Sequence, residues 1–325
     1  MDEFALIRRF FTRAPVRADL GVGDDAALFR IADGQQCAVT TDALVAGRHF
    51  FMDAAPYELG QKALAVNLSD LAAMGATPIG FTLALALPEL DEVWLSEFSR
   101  GLFEMAQRYG CELMGGDTTR SVTLVIGITA FGEIPVGSAI RRDGAQVGDD
   151  VWVSGTLGDA ALALSALQGR ADVPHDVLGQ IRHRLDAPTP RVRLGLALRG
   201  VAHAMLDVSD GLASDLMHVL VAGVCSARID LDVLPMSAVL RTQAVDAQWR
   251  LALTGGDDYE LCFTAAPERR ECVLTIAAQT DTPLTRIGRI VMLEENSAPA
   301  IVWASDKSPE FLHTLRQARG YNHFL

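Results

Sequence analysis

YELGQKALAVNLSDLAAMGATPIGFTLALAL, residues 57–87, is the stretch that decides the fold class. Its first part, 57–75, carries apolar residues at helical spacing and is stopped by Gly75 and Pro78. Its last part, 81–87, is a short, continuously apolar run, which is typical of a strand buried inside a sheet. A helix that leads directly into a buried strand predicts a mixed α/β protein.

The alternation of helix and strand continues on both sides of this stretch. The patterns predict strands at 37–41, 122–131 and 151–155, and helices at 3–12, 91–109 and 158–168. Between them, residues 135–150 (PVGSAIRRDGAQVGDD) are rich in turn formers and charge, which is typical of a domain boundary. We therefore predict two α/β domains, residues 1–146 and residues 147–325.

The charge composition restricts the possible partners. The formal net charge is −13, which argues against nucleic acid and against an anionic membrane surface. Only two of the 28 basic residues are lysines, Lys62 and Lys307, and neither lies in a glycine-rich loop. This excludes a P-loop and the strand lysine of protein kinases. If the protein binds phosphates, it must therefore do so through divalent cations and arginine.

The termini and the cysteines favour a cytoplasmic protein. The N-terminus, MDEFALIRRFF, is acidic at its start and its apolar stretch is too short for a signal peptide. No run approaches the roughly 18 apolar residues of a membrane-spanning helix. The five cysteines are odd in number and lack C-x-x-C spacing, so we expect reduced thiols rather than disulfides or a metal site.

Aspartates recur at predicted turns, mostly beside glycine. They are Asp24 and Asp25, Asp42, Asp117, Asp207 and Asp210, and Asp257 and Asp258. A single Gly-Asp pair often does no more than form a turn, but five recurrences favour a shared site. Asp42 is predicted at the end of the 37–41 strand, and Ser209 or Asp210 is expected to cap the helix within 206–220.

Asp70 differs from these aspartates because it lies inside the predicted 57–75 helix. Helical spacing places Asn67 and Asp70 on an otherwise apolar stripe with Leu59, Ala63 and Val66. A buried, unpaired carboxylate is costly, so Asp70 should meet a basic group or a cation. The structural alternative is an aspartate that caps a neighbouring loop.

Magnesium suits this set of oxygen ligands, because it is usually held by one or two carboxylates together with substrate phosphates. Several such ions would bridge the phosphates of a nucleotide and neutralise the charge of phosphoryl transfer. Arg120 and Arg142, in turn-rich segments, are candidates for phosphate contact, although each alone is more often a solvated charge.

Other chemistries are weakly supported. GVGDDA (21–26) fits the dinucleotide-binding pattern G-x-G-x-x-A, but no convincing strand precedes it and two aspartates would face the pyrophosphate. The seven histidines show no zinc-binding spacing, and no G-x-S-x-G elbow occurs. His49 is the one histidine close in sequence to the aspartate group.

Six blocks of sequence, in order along the chain, together resemble the thiamine-monophosphate kinase family. They are GVGDDAA (21–27), TTDALVAGRHF (40–50), ALAVNLSDLAAMGA (63–76), GGDTTR (115–120), LDVSDGLASDL (206–216) and GGDDYELCF (255–263). The family belongs to the aminoimidazole-ribonucleotide synthetase superfamily. The resemblance implies two α/β domains and a homodimer in which N-terminal strands of both copies form a barrel. It also implies transfer of the γ-phosphate of ATP to thiamine monophosphate, with several Mg²⁺ ions.

The resemblance further implies roles for individual residues. The positions that match metal ligands are Asp25, Thr40, Thr41, Asp42, Asp70, Asp117, Asp207 and Asp210. Among these, the expected catalytic residues are Asp42, Asp70, Asp117 and Asp210. Nucleotide-binding positions match Gly116, Asp117, Arg142 and Ser209. Substrate-binding positions match His49 and Asp257. The N-terminal domain is expected to bind ATP and metal and to dimerise, and the C-terminal domain to complete the substrate site.

The chain departs from the family pattern in two places. Asp257 stands where the family often has glutamate, and Ala318-Arg319 stand where an aromatic residue commonly stacks on the substrate. Tyr321 is the substitute candidate for that aromatic residue.

Three rival enzymes belong to the same superfamily. Selenophosphate synthetase needs a reactive cysteine or selenocysteine near the N-terminal glycine loop, and none precedes Cys37. Hydrogenase-maturation members end in cysteine, whereas this sequence ends in NHFL. Aminoimidazole-ribonucleotide synthetase fits TTDALVAGRHF and GGDTTR poorly. A non-catalytic module that binds nucleotide or cation is the alternative of a different class.

Overall fold

The computed structural model describes residues 2–305, so Tyr321 and the substrate contact expected of it lie outside the described residues. The described parts of Met1–Leu71, Ala76–Gly137 and Asp186–Val192 form one compact unit. The described parts of Ala72–Gly75, Ser138–Leu185 and Arg193–Leu325 form a second. Within residues 2–305, no helix is long and apolar enough to cross a membrane.

The first unit is a four-stranded sheet with helices packed on it. Its helices are α1 Glu3–Leu6, continued by a π-helical turn Ile7–Phe11, α2 Pro56–Ala73 and α3 Glu92–Tyr109. Its strands are β1 Gln35–Val45, β2 Thr77–Leu87, β3 Glu112–Arg120 and β4 Val125–Pro135. The sheet order is β1-β4-β2-β3, with β2 and β3 parallel and the other pairs antiparallel. Within the described residues this sheet is open rather than a closed barrel.

Helices α2 and α3 cross at very short range because each presents a glycine to the other. A Cβ atom on Gly60 would lie 2.2 Å from the carbonyl oxygen of Phe98, and one on Gly101 would lie 1.9 Å from that of Tyr57. Asp91 caps α3 by accepting hydrogen bonds from the main-chain N–H groups of residues 93 and 94, and Gly110 ends the helix with φ 66°. The two glycines therefore fix how closely these helices pack.

The second unit is a six-stranded mixed sheet of order β10-β7-β9-β5-β8-β6. Its strands are β5 Asp150–Ser154, β6 Ala204–Val208, β7 Ser226–Asp230, β8 Glu260–Ala265, β9 Leu284–Val291 and β10 Ile301–Ala304. Its helices are α4 Asp159–Leu167, α5 His175–Asp186, α6 Val192–Ala197, α7 Leu212–Ala222, α8 Val245–Thr254 and α9 Arg270–Thr280. Every residue of β5, β6 and β8 is buried, so the half of the sheet that runs from β5 to the edge strand β6 is covered on both faces.

One expectation from the sequence is wrong in detail. Asp42 lies within β1, three residues before its end at Val45, because the strand continues through the alternating residues that follow. Helix α5 was not predicted from the sequence, because only Ile181 and Leu185 of its side chains are buried, which leaves a weak apolar pattern.

The close helix crossing predicts a sharp difference between two glycine-to-alanine substitutions. Gly101→Ala should lower the free energy of unfolding by about 3 kcal/mol or more, because the backbones of α2 and α3 must separate. Gly179→Ala, in exposed α5 with open space around its Cβ position, should raise it by up to about 1 kcal/mol. Urea unfolding of both variants measures this; equal effects would contradict the close crossing.

Candidate active site

Strand β1 and helix α2 bring three of the predicted site residues together. Thr40 and Asp42 alternate onto the same face of β1, and Asp70 lies on α2. The hydroxyl of Thr40 donates a short hydrogen bond to Oδ2 of Asp70. Asp70 therefore contacts a hydroxyl group and lies close enough to Asp42 to influence its ionisation, within a helix whose neighbouring residues are almost all buried.

The two carboxylates of this cluster oppose each other's ionisation. Partial burial and then the charge of Asp70 raise the pKa of Asp42 from 3.8 to about 6. Within residues 2–305, no group of three or more His, Cys, Asp or Glu side chains is arranged to hold a metal ion. Two carboxylates and a hydroxyl nevertheless fit Mg²⁺, which takes its remaining ligands from water and phosphate. A divalent cation between Asp42 and Asp70 would remove their repulsion.

The hydroxyl of Thr41 points away from this cluster. Strand alternation places Thr41 on the opposite face of β1 from Thr40 and Asp42. Its hydroxyl donates to the carbonyl of Ile128 and accepts from the hydroxyl of Thr129, at 3.0 and 3.1 Å. A metal-binding role for the Thr41 side chain stays a prediction.

Gly116 and Asp117 lie on β3, across the sheet from Asp42. The strand register aligns Asp42 with Ile128, Ile128 with Leu83, and Leu83 with Gly116. Three strand spacings put Gly116 about 14 Å from Asp42. A Cβ atom on Gly116 would lie 2.0 Å from the Leu83 carbonyl oxygen, so only glycine fits there. Asp117 is exposed, and the structure does not bring it to the Asp42–Asp70 pair.

The chain that leads into the Asp25 loop is anchored by Glu112, a residue far away in the sequence. Glu112, at the start of β3, accepts hydrogen bonds from the main-chain N–H groups of residues 16, 17 and 18, at 2.5–3.0 Å. Leu20 and Leu28 then pair across the loop. Asp25 itself is exposed, and its N–H donates to Asp24. The sequence analysis did not identify Glu112, whose role depends on a partner almost a hundred residues away.

His49 lies just beyond β1, and the strand end holds its ring. The main-chain N–H of Val45 donates to Nδ1 of His49 at 3.0 Å, and the N–H of His49 donates back to the Val45 carbonyl at 2.9 Å. Since Nδ1 accepts a hydrogen bond, the neutral ring carries its proton on Nε2. His49 is therefore a positioned donor at the end of the strand that carries Asp42.

In the second unit, Asp207 lies near the end of β6. The strand is followed by a turn formed by Ser209, Asp210 and Gly211. The expected capping position is wrong, because the residue that caps α7 is Gly211 rather than Ser209 or Asp210. Instead, Asp215 reaches back from α7 and accepts the N–H groups of Ser209 and Asp210, each at 3.0 Å. Burial raises the pKa of Asp215 to about 7, although these N–H groups oppose that shift.

The segment 255–260 runs beside this turn. The N–H of Asp257 donates to the Ser209 carbonyl at 2.9 Å, and the N–H of Tyr259 donates to the Val208 carbonyl at 2.8 Å. A Cβ atom on Gly256 would lie 2.6 Å from the Ser209 carbonyl oxygen. The structure therefore joins Ser209, Asp210 and Asp257, which are far apart in sequence, into one local arrangement.

A buried network anchors the same segment, and the sequence analysis missed most of it. Asp258 accepts the N–H of Gly158 through both carboxylate oxygens, at 2.9 and 3.0 Å. Burial raises the pKa of Asp258 against the opposing effect of Arg184. Arg184 forms an ion pair with Glu260 at 2.6 Å, and Glu260 also accepts the hydroxyl of Ser154 at 2.5 Å. The acidic run Asp-Asp-Tyr-Glu was the available signal, but the sequence does not identify Gly158 or Arg184 as its partners.

Arg142 begins a short 3-10 turn, residues 142–144, and is exposed. A Cβ atom on Gly144 would lie 2.0 Å from the carbonyl oxygen of His203, which sets the turn tightly against β6. Arg120, at the end of β3, is exposed as well. Phosphate contact by either arginine stays a prediction.

Matches to two protein-family models define the class of protein to which this chain belongs. Residues 23–134 match the family model "AIR synthase related protein, N-terminal domain", and residues 146–298 match "AIR synthase related protein, C-terminal domain". The fold and the aspartate-bearing strands described above thus belong to an AIR-synthase-related protein in both halves.

Individual relatives are more specific. Thiamine-monophosphate kinase of Salmonella typhimurium strain LT2 is 48% identical over 295 residues, which are 89% of this chain and 90% of that protein. The crystal structure of thiamine-monophosphate kinase from Stenotrophomonas maltophilia K279a matches with TM-score 0.82 and 48% identity, over 87% of this chain and 90% of that one. The structure of AaThiL complexed with AMPPCP and TMP matches with TM-score 0.76 and 29% identity, over 93% and 91%. The chain belongs to the thiamine-monophosphate kinase family.

The burial of Asp42 and its repulsion by Asp70 predict that Asp42→Asn stabilises the metal-free fold. Because the pKa of Asp42 is raised from 3.8 to about 6, its ionisation destabilises the folded state progressively over that range and fully above it. In a chelator at about pH 7.5, Asp42→Asn should raise the free energy of unfolding by roughly 1 kcal/mol, with a smaller gain at about pH 4.5. Exposed Asp33→Asn is the control and should change little. A destabilised Asp42→Asn at the higher pH would contradict the repulsion.

Proposed function

We propose that this protein transfers the γ-phosphoryl group of ATP to thiamine monophosphate, producing thiamine diphosphate and ADP. The observation that carries the proposal is the Asp42–Asp70 carboxylate pair with the Thr40 hydroxyl, in a chain without a P-loop. The curated relatives named thiamine-monophosphate kinase support the reaction, at 48% identity for the Salmonella protein. The relative complexed with AMPPCP and TMP supports the two substrates.

In this reaction the phosphoryl group passes directly between the two substrates, and no protein residue needs to form a covalent bond to it. A phosphate oxygen of thiamine monophosphate forms a bond to the γ-phosphorus of ATP, and the bond from that phosphorus to the β-phosphate oxygen breaks, releasing ADP. The attacking oxygen is already anionic near neutral pH, so no general base is required. The protein must instead align two phosphate-bearing substrates and offset their mutual repulsion.

Asp42, Asp70 and the Thr40 hydroxyl are the residues that would hold a cation in the first unit. When bound, Mg²⁺ would neutralise the negative charge of the phosphate oxygens. The two carboxylates would position such an ion from two different elements, because Asp42 lies on β1 and Asp70 lies on α2. The remaining proposed ligands are Asp25, Thr41, Asp117, Asp207 and Asp210, in keeping with more than one ion.

The other site residues bind and orient the substrates in this proposal. We assign Gly116, Asp117, Arg142 and Ser209 to ATP. Gly116 is exposed on β3, and Arg142 supplies an exposed guanidinium for phosphate oxygens. We assign His49 and Asp257 to thiamine monophosphate. Residues 1–146 would bind ATP and metal and dimerise, and residues 147–325 would complete the substrate site.

A homodimer is part of the proposal, with the N-terminal sheets of two copies forming a barrel. The support is the outer face of β1, where Cys37, Val39, Thr41 and Ala43 are exposed, Val39 to 60%. Within the described residues, β1 is an eleven-residue edge strand that pairs with β4 alone. Long, apolar edge strands are usually covered, and a second copy would cover this one.

We also propose a cytoplasmic location. All five cysteines lie in the described residues and all are free thiols. Burial raises the pKa of Cys111 and of Cys262 to about 12, so these two thiols stay protonated and unreactive in the core. Free core thiols are typical of proteins from a reducing compartment.

The reaction is tested by replacing the carboxylate pair. Asp42→Ala and Asp70→Ala should each lower kcat by about 100-fold or more, because the remaining carboxylate alone cannot fix a bridging cation. Purified protein is incubated with Mg²⁺, ATP and thiamine monophosphate, and thiamine diphosphate is resolved by chromatography. Circular dichroism checks that both variants remain folded.

Asp33→Asn, an exposed aspartate in the turn before β1, is the matched control and should keep full turnover. Near-wild-type turnover in either alanine variant would remove the carboxylate pair from the mechanism. Absence of thiamine diphosphate with the wild-type protein at saturating substrates would overturn the proposed function itself.

A further inference from the structure

The segment 255–260 contains two bulky residues in a backbone conformation that normally belongs to glycine. Asp257 has φ 68° and Tyr259 has φ 50°. For a tyrosine this conformation is sterically unfavourable, and such residues persist only where their surroundings hold them. Strain of this kind is concentrated at ligand-binding sites, which makes the segment a candidate for a task beyond connecting α8 to β8.

The surroundings hold this segment through its inward-facing side chains. Asp258 is 1% exposed and fixed on the N–H of Gly158, and Glu260 is 0% exposed and fixed on Arg184 and Ser154. Main-chain hydrogen bonds to residues 208 and 209 hold it from the other side. The backbone therefore has little freedom to relax out of the strained conformation.

The intervening residues, Asp257 and Tyr259, are half-buried and meet each other. The phenol hydroxyl of Tyr259 donates to Oδ1 of Asp257 at 3.2 Å. An aromatic ring and a carboxylate are thereby held side by side, next to the turn formed by Ser209 and Asp210. Such a pair suits an organic cation, which is attracted both by the negative charge and by the face of the ring.

We infer that Tyr259 is a specificity-determining residue, which orients the Asp257 carboxylate toward the positively charged thiazolium ring of the substrate. This rests on the proposed function, in which thiamine monophosphate is the phosphoryl acceptor. The thiazolium carries a permanent positive charge, whereas the adenine of ATP is neutral. Tyr259 should therefore affect recognition of the acceptor and leave that of ATP unchanged.

A structural role for the same hydroxyl gives a different result. If the bond from Tyr259 to Asp257 only stabilised the segment, its loss would lower the unfolding temperature. It would also weaken the binding of ATP and of thiamine monophosphate together, because Ser209 lies against the same residues. If Tyr259 orients Asp257, loss of the hydroxyl raises the KM for thiamine monophosphate and leaves the KM for ATP unchanged. The two roles are thus distinguished by steady-state kinetics combined with thermal unfolding.

Tyr259→Phe keeps the ring and removes the hydroxyl. We expect the KM for thiamine monophosphate to rise about tenfold, the usual effect of losing a hydrogen bond to a charged group. The KM for ATP and the unfolding temperature should stay at their wild-type values. Tyr57→Phe is the matched control, since the Tyr57 hydroxyl also donates to a carboxylate, that of Glu104, on the exposed surface. It should change neither KM.

A double-mutant cycle with Asp257→Asn completes the test. Asp257→Asn alone should raise the KM for thiamine monophosphate, and adding Tyr259→Phe should raise it little further, because the hydroxyl then has no carboxylate to orient. An unchanged KM in Tyr259→Phe, a parallel rise for both substrates, or full additivity would overturn the inference while leaving the proposed function intact. A wild-type protein that makes no thiamine diphosphate would overturn both.

Discussion

Asp42 and Asp70 are two like charges held together by elements that cannot easily move apart. One is fixed by the strand register of β1 and the other by a helix whose neighbouring residues pack into the core. The folded protein therefore carries a cost, which is seen in the pKa of Asp42: burial and then the charge of Asp70 raise it to about 6. Such a cost is common at functional sites. In the proposed function, a divalent cation bound between the two carboxylates would remove this cost and would couple the fold of the first unit to phosphate chemistry.

Acidic residues outside the proposed chemistry have a different task, which is to hold loops. Glu112 accepts hydrogen bonds from three main-chain N–H groups that precede the Asp25 loop. Asp215 accepts hydrogen bonds from the N–H groups of Ser209 and Asp210. Asp258 does the same for Gly158. These carboxylates accept hydrogen bonds from groups that a loop would otherwise leave unsatisfied. The exposed aspartates are thus carried on turns that other, more buried acids keep rigid.

The sequence was sufficient for the α/β class and for most of the elements, because α3 and β4 have clear periodicity and β2 contains a continuous apolar run. It also identified Asp70 as the carboxylate that needs a partner, and one partner in the structure is the hydroxyl of Thr40; the expected cation stays a prediction. What the sequence could not supply are contacts between distant residues. The anchors Glu112, Arg184 and Asp215 become recognisable only when the strands and helices that carry their partners are in place.

The prediction that Ser209 or Asp210 caps α7 is wrong for a related reason. Both residues have the right side chains for a cap, but the adjacent segment 255–260 bonds to the Ser209 carbonyl and Asp215 takes the N–H groups of the turn. Tertiary partners therefore replaced the local cap that propensity favours. The same competition produces the strained conformation at Tyr259, which local sequence preference would not select.

The central claim, that the Asp42–Asp70 pair is a cation site, is tested most directly by thermal unfolding with and without Mg²⁺. The unfolding temperature is measured in the presence of a non-hydrolysable ATP analogue, for the wild-type protein and for Asp42→Asn and Asp70→Asn. Binding to the folded state alone stabilises by about 2.7 kcal/mol at a ligand concentration of 100 times Kd. The account predicts that Mg²⁺ raises the wild-type unfolding temperature by several degrees and that both variants lose most of this rise. An equal rise in all three proteins would contradict it.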